Sequence, residues 1–385
     1  MMPSPVNILL MTRTLGAGGT ERQLAELARS LPPSRFRAHA ACFYDDGFRA
    51  EELRRAGIPV FALPVRSLLS MDAVEGVRLL RAYIRENNIR LVHTFDYPMN
   101  IYGVPAARLC GVPVVLSSQR SFRTLRTARD RWLLRLSDQF VQGIVVNAAA
   151  VRRHLIEDER VAAGRIHLCY NGIDTAHFQP RPRPGPFRHP GDSILIGTAS
   201  VLRPEKGLDT LLEAFAGIRH LGPGRRLVIV GSGPEESRLL ALAQKLALDT
   251  ACHFEPAVAD VAPWLRSFDI FVLPSRSEAL SNSLMEAMAC GCAPVASRTG
   301  GNPELVEHSQ NGLLFEPGDA GGLAHQLAFL IQHPAERQRF AARAAAFIHN
   351  NFAKESATAR MMDIYDSVLA GITPKVVSTY PQKFL

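Results

Sequence analysis

Short apolar, β-branched runs alternate with amphipathic stretches along most of the chain. In the first half the runs fall at residues 6–11, 37–43, 60–63, 90–95, 113–117, 143–146 and 166–169. Between them lie helical patterns such as 20–30 and 73–87, with apolar residues recurring every three or four positions. After residue 190 the pattern restarts, with runs at 194–198, 226–230, 269–273 and 293–296, and a long helical pattern follows over 335–370. This alternation predicts parallel sheets joined by right-handed crossovers. Two successive series predict two doubly wound α/β domains, the default for a chain of 385 residues.

Residues 179–191 separate the series. They hold five Pro and two Gly in 13 positions, a density that sustains neither a helix nor a central strand. The expected organisation is therefore a first domain over 1–180, a linker over 181–191, a second domain over 192–345 and a helix over 346–372 that packs back on the first domain. The tail beyond Thr373 has no clear pattern.

Composition narrows the class. The chain is 47% hydrophobic and 21% charged, as globular proteins are. No apolar run approaches the roughly 18 residues that a membrane span needs. The apolar run at 6–11 has no basic residue before it and reads as a buried first strand, not as a secretion signal. The six cysteines are scattered without a CxxC pair, which fits a reducing cytoplasm. Charge is uneven: residues 1–190 carry 27 Arg and no Lys against 16 acids, whereas residues 191–385 carry 17 basic and 20 acidic residues. A basic first half faces an anionic partner. Aromatic content is 7% and nucleic-acid motifs are lacking, so an anionic membrane surface or lipid-linked acceptor fits better than nucleic acid.

Four motifs carry chemistry. Leu15-Gly16-Ala17-Gly18-Gly19-Thr20-Glu21 follows the first strand and opens a helix. Its glycines allow close approach of a phosphate to the helix N-terminus, or the segment is a plain turn with Thr20 as cap and Gln23 completing a capping box. Arg203-Pro204-Glu205-Lys206-Gly207 places two cations at the carboxyl end of a strand, where open α/β sheets bind ligands. A solvated turn is the plainer reading. Val230-Gly231-Ser232-Gly233-Pro234 resembles half a dinucleotide fingerprint or a simple strand-to-helix turn. In the fourth, Pro274 to Gly291, Glu278 falls in a loop after a strand. Glu286 falls in the expected first turn of the next helix, with Ser281, Asn282 and Ser283 at its start. A helical carboxylate suits a ribose diol, and helix amides suit phosphate. The alternative for Glu286 is a capping box with Ser283.

In their order these stretches resemble the retaining, family 4-type (group 1) glycosyltransferases of the GT-B fold. Gly18 to Arg22, Asn171 to Asp174, Glu205 to Gly207, Gly231 to Pro234, Glu278 to Glu286, Gly300 to Val306 and Asn311 to Leu314 carry the match and cover most of the chain. The resemblance implies two Rossmann-like domains facing a central cleft. It implies a hexose or N-acetylhexosamine moved from a nucleotide-diphosphate sugar, UDP-sugar foremost, to a saccharide or polyprenyl-diphosphate-linked acceptor, as in bacterial polysaccharide biosynthesis. Configuration is retained, no cofactor is used, and no metal is needed. The missing D-x-D triplet agrees with this. Glu286 would hold the ribose. Glu278 would sit by the transferred sugar. Lys206 would bind the diphosphate, with Gly18 and Gly19 approaching it and Ser281, Asn282, Ser283 and Leu284 adding contacts. Gly231, Gly233 and Pro234 would line the nucleotide pocket.

The chain departs from the family pattern twice. Val201 stands where an Arg is usual, and Arg203 is expected to substitute because positions 201 and 203 of an extended backbone point the same way. Phe95 stands where a second His is often found, leaving His93, Asp96 or Asn100 for the acceptor side of catalysis, with Asp96 preferred over His93. The stretch from Arg120 to Arg135 also holds Arg123, Arg126, Arg129 and Arg131 against the single Asp130, interleaved with Phe122, Leu125, Trp132, Leu133 and Leu134. It reads either as a solvated helix with a buried stripe or as a dock for anionic lipid, placing the protein in the cytoplasm and peripherally on the inner face of the membrane. A sugar-nucleotide 2-epimerase of the same fold and a donor-binding pseudoenzyme are the competing functions.

Overall fold

The computed structural model describes residues 4–371 except 17, 46, 68–69, 181–185, 187–192 and 223. The chain forms two compact units, Met1–Gly172 with Lys354–Leu385, and Ile173–Ala353.

The first unit is built on a seven-stranded parallel sheet. Its strands are β1 (Val6–Thr14), β2 (Phe36–Tyr44), β3 (Val60–Ala62), β4 (Ile89–Thr94), β5 (Val114–Gln119), β6 (Gly143–Val146) and β7 (Ile166–Leu168), in the order β3-β2-β1-β4-β5-β6-β7. In β1 the consecutive residues Ile8, Leu9, Leu10 and Met11 are all fully buried. A parallel strand covered by helices on both faces shows this continuous apolar run instead of alternation. The helix Gly19–Ser30 buries Leu24, Ala25, Leu27 and Ala28. The C-terminal helix Lys354–Leu369 adds Met361, Ile364, Tyr365 and Val368 to the same core cluster. The long helical pattern at 335–370 is in fact two helices, Pro334–Asn351 and Lys354–Leu369.

The second unit holds a six-stranded parallel sheet of β8 (Ile194–Ala199), β9 (Arg225–Val230), β10 (Cys252–Glu255), β11 (Ile270–Leu273), β12 (Ala293–Ser297) and β13 (Leu313–Phe315). Their order is β10-β9-β8-β11-β12-β13. Both sheets thus reverse direction beside their first strand, between β1 and β4 and between β8 and β11. In open α/β sheets the loops leaving such a switch point form the ligand crevice. The chain leaves the first unit at Gly172, whose backbone is held on both sides by the Gln23 amide at 2.9 and 3.1 Å. In the second unit the Ile173 amide donates to Phe352 O at 2.8 Å, and this pairing interrupts the helical pattern. The expected linker, 181–191, lies outside the described residues apart from Pro186.

Candidate functional site

In the second unit, the loops after β8, β9 and β11 are tied to one another by backbone bonds. After β8, the Arg203 amide donates to Val201 O at 3.0 Å, a tight turn around the fully buried Leu202. The backbone here is not the extended one expected. Val201 and Arg203 both face outward because Leu202 turns in, and Arg203 ends up exposed, 4.0 Å from Glu205. The glycines after β9 fit against this loop. A Cβ on Gly231 would lie 1.9 Å from Ser200 O, and one on Gly233 2.4 Å from Leu202 O. The Leu202 amide donates to Ser232 O, and Leu202 O accepts from Glu235 N, each at 3.1 Å. The glycine turn, which continues into Pro234, thus has a packing reason of its own, whatever pocket it lines.

Gly207 closes the β8 loop in the left-handed region, φ +62°, where a Cβ would meet Pro274 O at 2.3 Å. That contact joins it to the loop after β11. Arg276 completes the seam: its amide donates to Glu205 O at 2.8 Å, and its guanidinium bonds Pro204 O at 3.0 Å and Asp209 Oδ1 at 2.8 Å. Burial alone would raise the Asp209 pKa. Hydrogen bonds from Arg276, the Thr210 amide and Arg238 outweigh it and hold the carboxyl below its ordinary value. The loop after β12 braces the other side, where Ser297 Oγ donates to Ser275 O at 2.6 Å and the Gly301 amide to Ala279 O at 2.8 Å. Ser275 and Arg276 lie within the Pro274–Gly291 motif without local chemistry of their own; only their spatial neighbours show that they splice two loops.

Within this frame Lys206 and Glu278 meet. Lys206 Nζ donates to Glu278 Oε2 at 2.6 Å, and Ser275 Oγ donates to the same oxygen at 3.2 Å. Both side chains are mostly buried yet not sealed, at 22% and 13% exposure. The helix that follows is Asn282–Ala289. Its cap is Ser281, whose Oγ accepts from the Leu284 amide at 3.2 Å and contacts Ser283 Oγ at 3.2 Å. The alternative reading of Glu286, a capping box with Ser283, therefore does not hold. Ser283 lies inside the helix, and Glu286 lies in the second turn, not the first, buried at 2% exposure. Glu286 is thus a buried carboxylate that does not cap its helix.

In the first unit, the turn after β1 is held differently from the expected cap. Gly18 is the N-cap of Gly19–Ser30 and no side chain caps the helix. Thr20 sits inside the helix, and Gln23 is spent on Gly172. Glu21 instead accepts from Thr14 Oγ1 at 3.0 Å.

Asp96, after β4, caps the helix Tyr97–Leu109 by accepting from the Met99 amide at 3.0 Å. Its other oxygen accepts from Thr12 Oγ1 at 2.8 Å and the Arg13 amide at 2.6 Å. Burial pushes its pKa up against these three donors. His93 is fully buried between Tyr365 OH at 2.8 Å and Ser118 Oγ at 2.9 Å. Burial, aided by the Arg120 charge, drops its pKa to about 3. Asn100 bonds Thr94 Oγ1 at 2.6 Å and Ser118 O at 2.9 Å. All three candidates for the acceptor side thus have structural bonds of their own. Phe95 is buried against the His93 ring, with the Arg120 guanidinium 5.9 Å from its centroid.

The Arg-rich stretch divides in the same way. Arg123 is fully buried and salt-bridged to Asp138 at 2.8 Å. Arg120 reaches Asn171 Oδ1. Arg123 is internal and half-buried Arg120 is turned to Asn171, so neither is assigned to a surface dock.

Two family models match the chain: Glycosyltransferase Family 4 over residues 17–177 and Glycosyl transferases group 1 over 184–347. With both sheets of the fold in place, the chain belongs to the glycosyltransferases of the GT-B fold. It is 29% identical over 351 residues to the GDP-mannose-dependent alpha-(1-6)-phosphatidylinositol monomannoside mannosyltransferase of Mycobacterium tuberculosis, covering 86% of this chain and 89% of that one. It is 30% identical over 241 residues to the D-inositol 3-phosphate glycosyltransferase of Saccharomonospora viridis, covering 59% of this chain. The chain spans 56% of the length of that relative, and 65% and 54% of two others. These relatives are transferases and not epimerases. Anabaena Alr3699/HepE, solved with UDP and glucose, superposes with a TM-score of 0.82 at 22% identity, covering 94% of this chain and 99% of that one.

Proposed function

We propose that this protein transfers a hexose or N-acetylhexosamine from a UDP-sugar to a glycan or lipid-linked saccharide, with retention of configuration and without a metal. The observation that carries the reading is the Lys206–Glu278 pair at the switch point of the second sheet, beside the N-terminus of Asn282–Ala289. A diphosphate there meets an ammonium, the first-turn amides of a helix and, from the outer side of the β8 loop, the Arg203 guanidinium. These fixed charges stabilise the leaving nucleoside diphosphate as the sugar departs. Glu286 accepts both hydroxyls of the ribose. Glu278, released from Lys206 by the arriving phosphate, turns to the sugar. His93 and Asp96 support the first unit's loops and do not exchange protons with the acceptor.

The donor class follows from chemistry that ribose and diphosphate share. UDP is favoured by the likeness to Anabaena Alr3699/HepE, which was solved with UDP and glucose; the mannosyltransferase relative takes GDP-mannose by name. Calorimetric titration with UDP and with GDP, in the presence of a chelator, tests the reading. Saturable heat with UDP is expected. No heat with either nucleotide rejects the donor site, and binding only after a divalent ion is restored rejects metal independence. The anomeric proton coupling of the product decides retention.

A further inference from the structure

Among the described residues, five of the eleven exposed large hydrophobic side chains fall within one stretch of the first unit. They are Leu109, Leu125, Trp132, Leu136 and Phe140, at 67%, 50%, 62%, 46% and 43% exposure. Scattered exposed hydrophobics are ordinary; a cluster of this kind marks an interaction site. The stretch is continuous in space. The helix Tyr97–Leu109 packs on Ala128–Ser137, and Arg108 Nε, beside Leu109, donates to Phe140 O at 2.6 Å.

The helix Ala128–Ser137 is divided lengthwise. Leu134 is buried at 1% exposure. At 3.6 residues per turn, about 100° each, Trp132 and Leu136 both lie about 160° from Leu134, and Arg129 lies about 140° from it, about 20° beyond Leu136. The outward face therefore reads Arg129, Trp132, Leu136, with Phe140 one step beyond. Exposed Arg135 borders it, and exposed Arg81 donates to Leu109 O at 3.0 Å. Of the acids nearby, Asp138 and Glu159 are buried and engaged by Arg123 and Arg135, and half-buried Asp130 lies about 40° from Leu134, on the inward side of the helix. What remains outside is an aromatic and aliphatic patch with a basic border. Charge complementarity selects an anionic partner, and apolar side chains that end in solvent select one that accepts them by insertion.

We propose that this face, and not the whole arginine-rich stretch, docks the protein on an anionic bilayer. Trp132, Leu136 and Phe140 enter the headgroup boundary, and Arg81, Arg129 and Arg135 meet lipid phosphates. No helix among the described residues is long and apolar enough to cross a membrane. The face belongs to helices of the first unit and the donor site to loops of the second, so the two are tested by different variants and the proposal stands or falls independently of the donor site.

Co-sedimentation of the full chain with phosphatidylcholine vesicles, with and without about a third phosphatidylglycerol, tests this. At least tenfold stronger binding to the anionic vesicles is expected, weakened by salt. Trp emission should shift to the blue on binding; the other tryptophan, Trp264, is buried, so Trp132→Phe should abolish the shift. The pair Trp132→Ala and Leu136→Ala should cut vesicle binding at least tenfold with UDP titration unchanged, which also shows the variant folded. Equal binding to neutral vesicles, or an unchanged spectrum, overturns the proposal. So does a concentration-dependent dimer that the same pair of substitutions dissolves, for then the face belongs to a second copy.

Discussion

Lys206 and Glu278, 72 residues apart in sequence, hold each other through a 2.6 Å hydrogen bond. The bond exists because Gly207 lets Pro274 O approach and because Arg276 ties both loops together. If phosphate displaces Glu278 from Lys206, the two residues are coupled in the donor complex. Lys206→Ala should weaken donor binding by about 1.5–3 kcal/mol, the range for hydrogen bonds to charged groups. Glu278→Ala should fall mainly on kcat. In a double-mutant cycle on kcat/KM the two effects should not add. Strict additivity would separate their roles and remove the exchange from the mechanism.

Glu286→Ala tests the ribose contact alone. Its carboxylate is buried at 2% exposure in the second turn of Asn282–Ala289, away from the Ser281 cap, so its removal leaves the helix start intact. The loss should be about 1.5–3 kcal/mol of UDP affinity by calorimetry. Deoxyribose in place of ribose in the nucleotide should cost the wild type about as much and the variant little. A variant that still discriminates the two sugars would place the diol elsewhere.

Arg203→Ala distinguishes a ligand cation from a solvated one. The side chain is exposed, with Glu205 4.0 Å away as its acidic neighbour, so folding owes it little. A drop of roughly tenfold in UDP affinity, diminished at high salt, is expected if it reaches the diphosphate. Unchanged affinity removes Arg203 from the site and leaves Lys206 as the sole side-chain cation assigned there.

The alternation of apolar runs was enough to read both sheets, because buried parallel strands such as β1 are apolar throughout. Strands β10 and β13 escaped notice. Cys252–Glu255 carries His253 and Glu255 among four residues, and Leu313–Phe315 is three residues long, so each is specified by its neighbour in the sheet more than by its own pattern. Lys206, Glu278 and Glu286 stand out in the sequence because their motifs follow strands; the structure pairs the first two, and their roles toward a donor belong to the proposal. Local rules failed where a long-range partner outbid them. Gln23 serves Gly172 and not the helix start, and Ser281 and not Ser283 caps its helix; Val201 and Arg203 do face the same way, but about a tight turn at the buried Leu202 and not along an extended strand.

Acid should unfold the first unit partly through His93. Its folded pKa is about 3, against about 6.5 unfolded, so below pH 6.5 the unfolded chain binds a proton that the native state refuses. Stability conferred by the neutral ring is full above 6.5 and is lost as pH falls towards 3, by about 1.4 kcal/mol per pH unit. His167, lowered to about 4 by burial and the Arg360 charge, acts in the same sense. His93→Gln keeps a polar partner for Tyr365 and Ser118 but cannot titrate. Its urea midpoints between pH 6 and 4 should decline less steeply than those of the wild type. Parallel curves would mean that His93 is protonated in the native state.

The buried arginine of the basic stretch should be a point of stability and not of docking. Arg123 has 1% side-chain exposure and bonds Asp138 at 2.8 Å, with Glu159 3.7 Å away and Gln119 Oε1 accepting at 3.2 Å. Arg135 reaches Glu159 from outside at 2.7 Å. Burial keeps the Asp138 pKa raised even beside this guanidinium, so the charge is held at a cost. Arg123→Ala strands the buried Asp138 carboxylate, leaves Glu159 held by Arg135 alone, and should destabilise the first unit by about 3–5 kcal/mol, lowering its melting midpoint by roughly 10 °C. Arg123→Met with Asp138→Leu removes the stranded charge and should recover part of that loss, since an apolar replacement of a buried pair is often neutral. Vesicle binding of any folded fraction should stay at the wild-type level, in contrast to the Trp132 and Leu136 variant. A well-folded Arg123→Ala with reduced lipid binding would return this arginine to the surface and contradict its burial.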